Sequence, residues 1–236
     1  MKIYSTNRIN ALGLKGPEEL PTHFPESEKI EVDNDNIQES ENILYQKAKQ
    51  IFSQDEKPLF IGGDHSITYP IFKAFQEKNK DSFLIVFDAH ADCMPPQQEP
   101  THEEFLRAII ENGFPTQNII LIGTRKIEPE EIRFLKENNI KTSNNIEEAL
   151  EYIKENSKNK KIYISIDIDA LDPKFAPAVN YPEPNGLDKN EFKNLLKEIL
   201  KGNNVEAVDI VEAIPQKDIE NKTINLIKEI IEIINP

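Results

Sequence analysis

The sequence predicts an α/β fold: a mostly parallel sheet covered by helices on both faces. Three observations predict it. Short apolar, β-branched runs alternate with stretches of helical periodicity along most of the 236 residues. Those runs are continuously apolar, as strands buried on both faces must be. Acidic and histidine side chains collect at the C-terminal ends of three of the runs, where open α/β sheets place their sites.

Taken in order, the first fifty residues are the least decipherable, showing only a helical periodicity over 37–52. Pro58-Leu59-Phe60-Ile61 reads as a strand that breaks into Gly62-Gly63, followed by a helix over 71–78. Residues 82–87 form the next strand, and residues 94–100, carrying Pro95, Pro96 and Pro100, a rigid surface loop. Thr101 with Glu104 has capping-box spacing and opens a helix over 103–111. A strand over 118–122 and a helix over 130–137 follow. Asn145 with Glu148 opens a helix over 146–154, which leads to a strand over 161–168. Asp188 with Glu191 opens a helix over 189–200, before a strand over 204–211 and a helix over 217–233. No internal repeat or low-complexity tract interrupts the pattern, so residues 1–236 read as a single domain.

Composition narrows the partners. The 28 basic residues against 42 acidic ones leave a net charge of -14, with no arginine-rich tract to offset it. Such a surface repels phosphate backbones and anionic lipid, so neither nucleic acid nor membrane is expected; cations, either metal ions or organic amines, are. The apolar runs are too short to span a bilayer, and no long apolar stretch follows the first residues as in a secretory signal. Cys93 is the single cysteine, which excludes an intrachain disulfide and a thiolate metal cluster. A cytoplasmic protein is expected.

The chemistry sits at three strand ends: Gly62-Gly63-Asp64-His65-Ser66, Asp88-Ala89-His90-Ala91-Asp92 and Asp167-Ile168-Asp169-Ala170-Leu171-Asp172. Singly, each has an ordinary explanation as a turn or a cap. The third begins like a calcium loop, but Asp172 and Ala178 stand where that loop needs glycine and glutamate. Alternation along an extended chain predicts that Asp88, His90 and Asp92 share one face, as do Asp167 and Asp169. Four carboxylates and two imidazoles converging on one sheet edge would repel and desolvate one another at a cost of several kcal/mol. Two divalent cations neutralise them. The donor set of His65, Asp88, His90, Asp92, Asp167 and Asp169 suits Mn²⁺ foremost, with Zn²⁺, Fe²⁺ and Co²⁺ also admitted.

These motifs, in this order and at similar separations, resemble the signatures of the ureohydrolase family, which includes arginase, agmatinase and formimidoylglutamase. Further matches run to Pro215: Gly123-Thr124-Arg125, Pro182-Glu183-Pro184-Asn185-Gly186 and Asp209-Ile210-Val211-Glu212. Gly13-Leu14-Lys15-Gly16-Pro17 weakly resembles the family's opening motif. The resemblance implies a three-layer α/β/α sandwich with a binuclear manganese centre. His65 and Asp92 would serve one ion and His90 the other, with Asp88 and Asp167 bridging and Asp169 also a ligand. It further implies hydroxide attack on a guanidinium carbon, giving urea and an amine, with Asp92 protonating the leaving nitrogen and Glu212 pairing with the guanidinium. His102 matches the family's proton shuttle, although Glu103 stands where glycine is usual. A capping-box position at the first residue of a helix would favour a neutral imidazole there. Trimers or hexamers are implied as well.

The resemblance implies a small cationic guanidino compound as substrate. Met94 stands where arginases carry an asparagine that contacts the amino-acid carboxylate, and methionine donates no hydrogen bond. Agmatine is therefore expected over arginine, with Glu128 near the substrate amine. The N-terminal third and the loop after Met94 are shorter than in most members, and Ala178-Val179-Asn180 replaces a glycine-rich segment near the site. Three other readings use the same residues: arginase or formimidoylglutamase activity, a single-zinc deacetylase-like hydrolase, and a non-catalytic metal-binding protein.

Overall fold

The computed structural model describes residues 1–10, 15–54, 56–96 and 99–235. Of the weak opening motif, Gly13 and Leu14 lie outside the described residues. Eight strands form one sheet: β1 (Lys2–Thr6), β2 (Glu28–Ile30), β3 (Pro58–Ile61), β4 (Ser82–Phe87), β5 (Ile119–Ile122), β6 (Lys141–Ser143), β7 (Lys161–Asp167) and β8 (Val205–Val211). Their spatial order is β2-β1-β3-β8-β7-β4-β5-β6, and every pairing is parallel. The helices are α1 (Ile37–Ser53), α2 (Thr68–Lys78), α3 (Phe105–Glu111), α4 (Pro129–Glu137), α5 (Ile146–Asn156), α6 (Lys189–Gly202) and α7 (Lys222–Ile234).

Alternation along the strands divides the core in two. Ile162, Ile164 and Ile166 of β7 point with Phe83, Ile85 and Phe87 of β4 into a layer closed by α5, α6 and α7. Tyr163, Leu84, Val86 and Ala207 point the other way, against α1, α2, α3 and α4. The result is the three-layer α/β/α sandwich, with the inner strands β3 and β4 buried along their whole length. Among the described residues no helix is long and apolar enough to cross a membrane.

The departures from expectation have local causes. Helix α2 begins at Thr68 rather than residue 71 because Pro70 lies in its first turn, where a missing N–H does no harm. Helix α7 begins at Lys222, five residues after the expected 217. Glu220 and Asn221 have left-handed backbones (φ 61° and 53°), and Asp218 caps the new start by accepting from the amides of Thr223 and Ile224. The strands β1, β2 and β6 have no counterpart in the sequence reading.

Candidate metal centre

All strands being parallel, their C-terminal ends fall on one edge of the sheet. After β3 the chain turns through Gly62 and Gly63 (φ 92° and 81°). A side chain at Gly63 would place its Cβ 2.2 Å from the carbonyl oxygen of Arg8, so only glycine fits. Asp64 caps the short 3₁₀ turn His65–Ile67 by accepting from Ser66 N at 3.1 Å, which sets His65 facing the strand ends, fully buried.

The expected alternation does not bring the acids together. Strand β4 ends at Phe87, so residues 88–92 are not extended, and Asp92 has a left-handed backbone (φ 47°). Asp88 instead closes a turn by accepting from His90 N at 2.7 Å. Strand β7 ends at Asp167, which closes the same kind of turn by accepting from Asp169 N at 2.8 Å. Asp169 then accepts from Ala89 N at 3.0 Å, locking the two turns together. Convergence comes from paired aspartate turns rather than from strand pleating.

The convergence is tight. Nδ1 of His65 lies 3.0 Å from Asp88 Oδ2, 3.1 Å from Asp92 Oδ2 and 3.4 Å from Asp167 Oδ2. Nδ1 of His90 lies 2.9 Å from Asp169 Oδ2 and 3.5 Å from Asp88 Oδ1. Two overlapping donor groups result, His65–Asp88–Asp167 and Asp88–His90–Asp169, each with its ligand atoms within 4.8 Å of one another. Asp88 belongs to both. His65 Nδ1 and Asp88 Oδ2 are buried and have no hydrogen-bond partner. Orphaned buried donors of this kind, in a nitrogen-and-oxygen set without thiolate, fit a pair of divalent cations.

Electrostatics without cations agree. Burial and the Asp88 charge push the Asp92 carboxyl well up, and burial with the Asp169 and Asp88 charges does the same to Asp167. Burial works against charged imidazoles, yet the flanking carboxylates of Asp167, Asp88 and Asp92 carry His65 well above its ordinary range. For His90, burial is likewise overcome by Asp169 and Asp88, and its pKa is pushed up to about 12.

A cavity of about 220 Å³ opens over these residues. Glu212 lines it, buried, with a left-handed backbone (φ 67°) and its Oε1 accepting from His65 N at 2.9 Å. Burial and the Asp167 charge push its carboxyl well up. His102 also lines the cavity, with both ring nitrogens buried and without a hydrogen-bond partner. It is not the first residue of a helix. Thr101 and Glu104 close a turn of their own, Thr101 N donating to Glu104 Oε2 at 3.1 Å, and α3 starts only at Phe105. Met94 and Glu128 line the cavity too; Glu128 caps α4 and pairs with Lys126 at 2.9 Å. Val179 and Asn180 of the altered segment complete one wall.

Four further residues shape the site. Glu131, buried, accepts from Cys93 N at 3.0 Å and from Glu128 N at 2.9 Å, joining the turn at Asp92 to the start of α4. A glutamate at the helix cap hid this box from the sequence reading, because serine, threonine, asparagine and aspartate are the usual caps. Arg125 donates to the carbonyls of Gly123, Asp169, Ala170, Glu183 and Pro184, binding three loops of the cavity rim. Ser165 and Asp209 stand behind His65; Asp209 sits inside a matched motif and Ser165 two residues before another, but only strand register reveals that they meet.

Comparison with known proteins follows the same lines. The model of the Arginase family matches residues 15–234. Arginase 1, mitochondrial, of Oryza sativa subsp. indica is 35% identical over 186 residues, covering 75% of this chain and 54% of that protein. The chain thus spans about half the length of the plant arginases it matches. Agmatinase of Bacillus subtilis is 30% identical over 200 residues, 83% of this chain and 69% of that one. The crystal structure of arginase from Bacillus subtilis superposes with a TM-score of 0.87 at 21% identity, over 99% of this chain and 98% of that chain, and shares the fold.

Proposed function

The chain belongs to the arginase family, and from that premise we propose that it is a binuclear-metal ureohydrolase that converts agmatine to urea and putrescine. One observation carries the reading: the two donor groups that share Asp88 open directly onto a cavity lined by carboxylates. His65, Asp88, Asp92 and Asp167 would hold one cation, and His90, Asp88, Asp167 and Asp169 the other, manganese being the ion that this donor set favours. Bound there, the pair would supply a water-derived nucleophile at neutral pH.

The rest falls to the chain's own side chains. Glu212 offers carboxylate oxygens to the guanidinium N–H groups, aligning the planar carbon over the donor groups. Oδ2 of Asp92, 3.1 Å from His65 Nδ1 beside the donor groups, can take up a proton and pass it to the departing amine. His102, at the cavity wall with its Nε2 3.9 Å from Glu103 Oε1, exchanges that proton with solvent. Lys126, the one lysine or arginine among the described residues lining the cavity, is already paired with Glu128, so no unpaired lysine or arginine among them faces a substrate carboxylate. That supports agmatine over arginine.

Urea release by the Mn²⁺-loaded protein from agmatine, arginine and 4-guanidinobutyrate tests both parts. Preference for agmatine is expected. Preference for arginine would overturn the substrate, and no urea from any guanidino compound at full metal content would overturn the activity.

A further inference from the structure

Resting on the reading of His65 as a metal ligand, a second question is what holds its imidazole in the form a cation requires. A neutral histidine must present a bare Nδ1 lone pair, with its hydrogen on Nε2. Ser165 and Asp209 are register partners across β7 and β8, so both project from the same face of the sheet, behind His65. Both are fully buried. Asp209 Oδ1 accepts from Ser165 Oγ at 2.6 Å. Asp209 Oδ2 accepts from the Tyr163 hydroxyl at 2.6 Å and from Thr68 Oγ1 at 2.9 Å. Ser165 Oγ in turn lies 2.9 Å from His65 Nε2.

Proton counting settles the direction of each bond. A hydroxyl has one hydrogen, and an ionised carboxylate only accepts. Ser165 gives its hydrogen to Asp209 and therefore turns only a lone pair toward His65. Nε2 must supply the hydrogen. We propose that Asp209 is a positioning residue: through Ser165 it fixes His65 as the Nε2–H tautomer and so keeps Nδ1 bare toward Asp88, Asp92 and Asp167. Among the described residues only hydroxyls hydrogen-bond its carboxylate, so no cation among them competes for the charge that orients Ser165.

Asp209→Asn reverses the chain. The Tyr163 and Thr68 hydroxyls hold the amide oxygen on their side, which aims the NH₂ at Ser165. The serine oxygen must then accept, freeing its hydrogen for Nε2 and moving the imidazole hydrogen to Nδ1. Ser165→Ala leaves the Nε2–H without a partner. Both variants are expected to bind the His65-side ion about 10–100-fold more weakly while retaining the His90-side ion, measured by Mn²⁺ titration against a chelator. In the Zn²⁺-loaded protein with ¹⁵N-labelled histidine, wild type should show hydrogen on Nε2 of His65, and Asp209→Asn should lose that signature. Tyr163→Phe, which removes a donor from Asp209 without touching Ser165, is expected to leave metal affinity unchanged. Two ions bound equally well by wild type, Asp209→Asn and Ser165→Ala would overturn the proposal, as would an equal loss in Tyr163→Phe. Failure of wild type to bind any ion would instead overturn the metal centre itself.

Discussion

Nδ1 of His65 and Oδ2 of Asp88 stand 3.0 Å apart, both buried, and neither forms a hydrogen bond. The other oxygen of Asp88 reaches Nδ1 of His90. One carboxylate therefore serves both donor groups, and its removal should not be confined to either. Asp88→Ala is expected to lose both ions and His90→Ala one, read as metal content per chain. Activity in Asp88→Ala should fall further than the about 10–100-fold typical of substitutions one shell out. A chain that keeps one ion after loss of Asp88 would contradict the sharing.

Stability should depend on pH in opposite senses with and without metal. In the metal-free protein the folded pKa of His90 lies at about 12, above its ordinary value. Its contribution is complete below about pH 6.5 and is lost as pH rises toward the folded value. Between pH 6.5 and 9 the metal-free melting temperature should therefore fall. Cation binding displaces the protons on the ligands, so metal affinity should rise over the same range. Calorimetry of both forms checks the pair, and a metal-free protein that gains stability with pH would refute it.

His102→Ala should lower turnover by roughly 100-fold while leaving the KM for agmatine nearly unchanged, since general acid–base transfer contributes at least that much. Added imidazole should restore part of the rate. An unchanged rate would return His102 to the cavity wall as packing alone.

Arg125→Lys keeps the charge but not the planar fork that reaches five carbonyls. A loss of about 2–4 kcal/mol is expected in urea unfolding, from charge-assisted bonds left unmade. Metal content should also fall, because Asp169 sits on one of the tethered loops.

Glu131→Ala would orphan the amides of Cys93 and Glu128 together. About 1–3 kcal/mol of stability should go with the buried amide of Cys93 and less with the part-buried amide of Glu128. The agmatine KM should rise more than kcat falls, because Glu128 lines the cavity while the chemistry lies deeper.

Much of this molecule is legible in its sequence because a parallel sheet writes its strands as uninterrupted apolar runs. Residues 58–61 and 82–87 are read to the residue for that reason. The short strands β1, β2 and β6 are not, since Glu28–Ile30 and Lys141–Ser143 carry too few apolar residues to signal burial. The six proposed donors are legible as a group from charge: so many like charges at one edge call for a counter-ion. How they meet is not, because Asp88 and Asp167 fold back on amides two residues ahead, a turn that competes with extension and wins where the strand ends. The roles of Asp209 and Glu131 are not legible in the sequence because they depend on neighbours 44 and 38 residues away.

Asp92 and Glu212 both hold positive φ, a conformation that disfavours any side chain by about 1–2 kcal/mol and that glycine adopts freely. Glu212 repays its backbone cost by accepting from the buried amide of His65, whereas glycine at 92 would relieve both the backbone and the crowded charge and make a sturdier, inert protein. Selection for heat resistance alone, with activity unwatched, should erode the molecule first at Asp92, and a hardened variant recovered that way would report where function and durability pull apart.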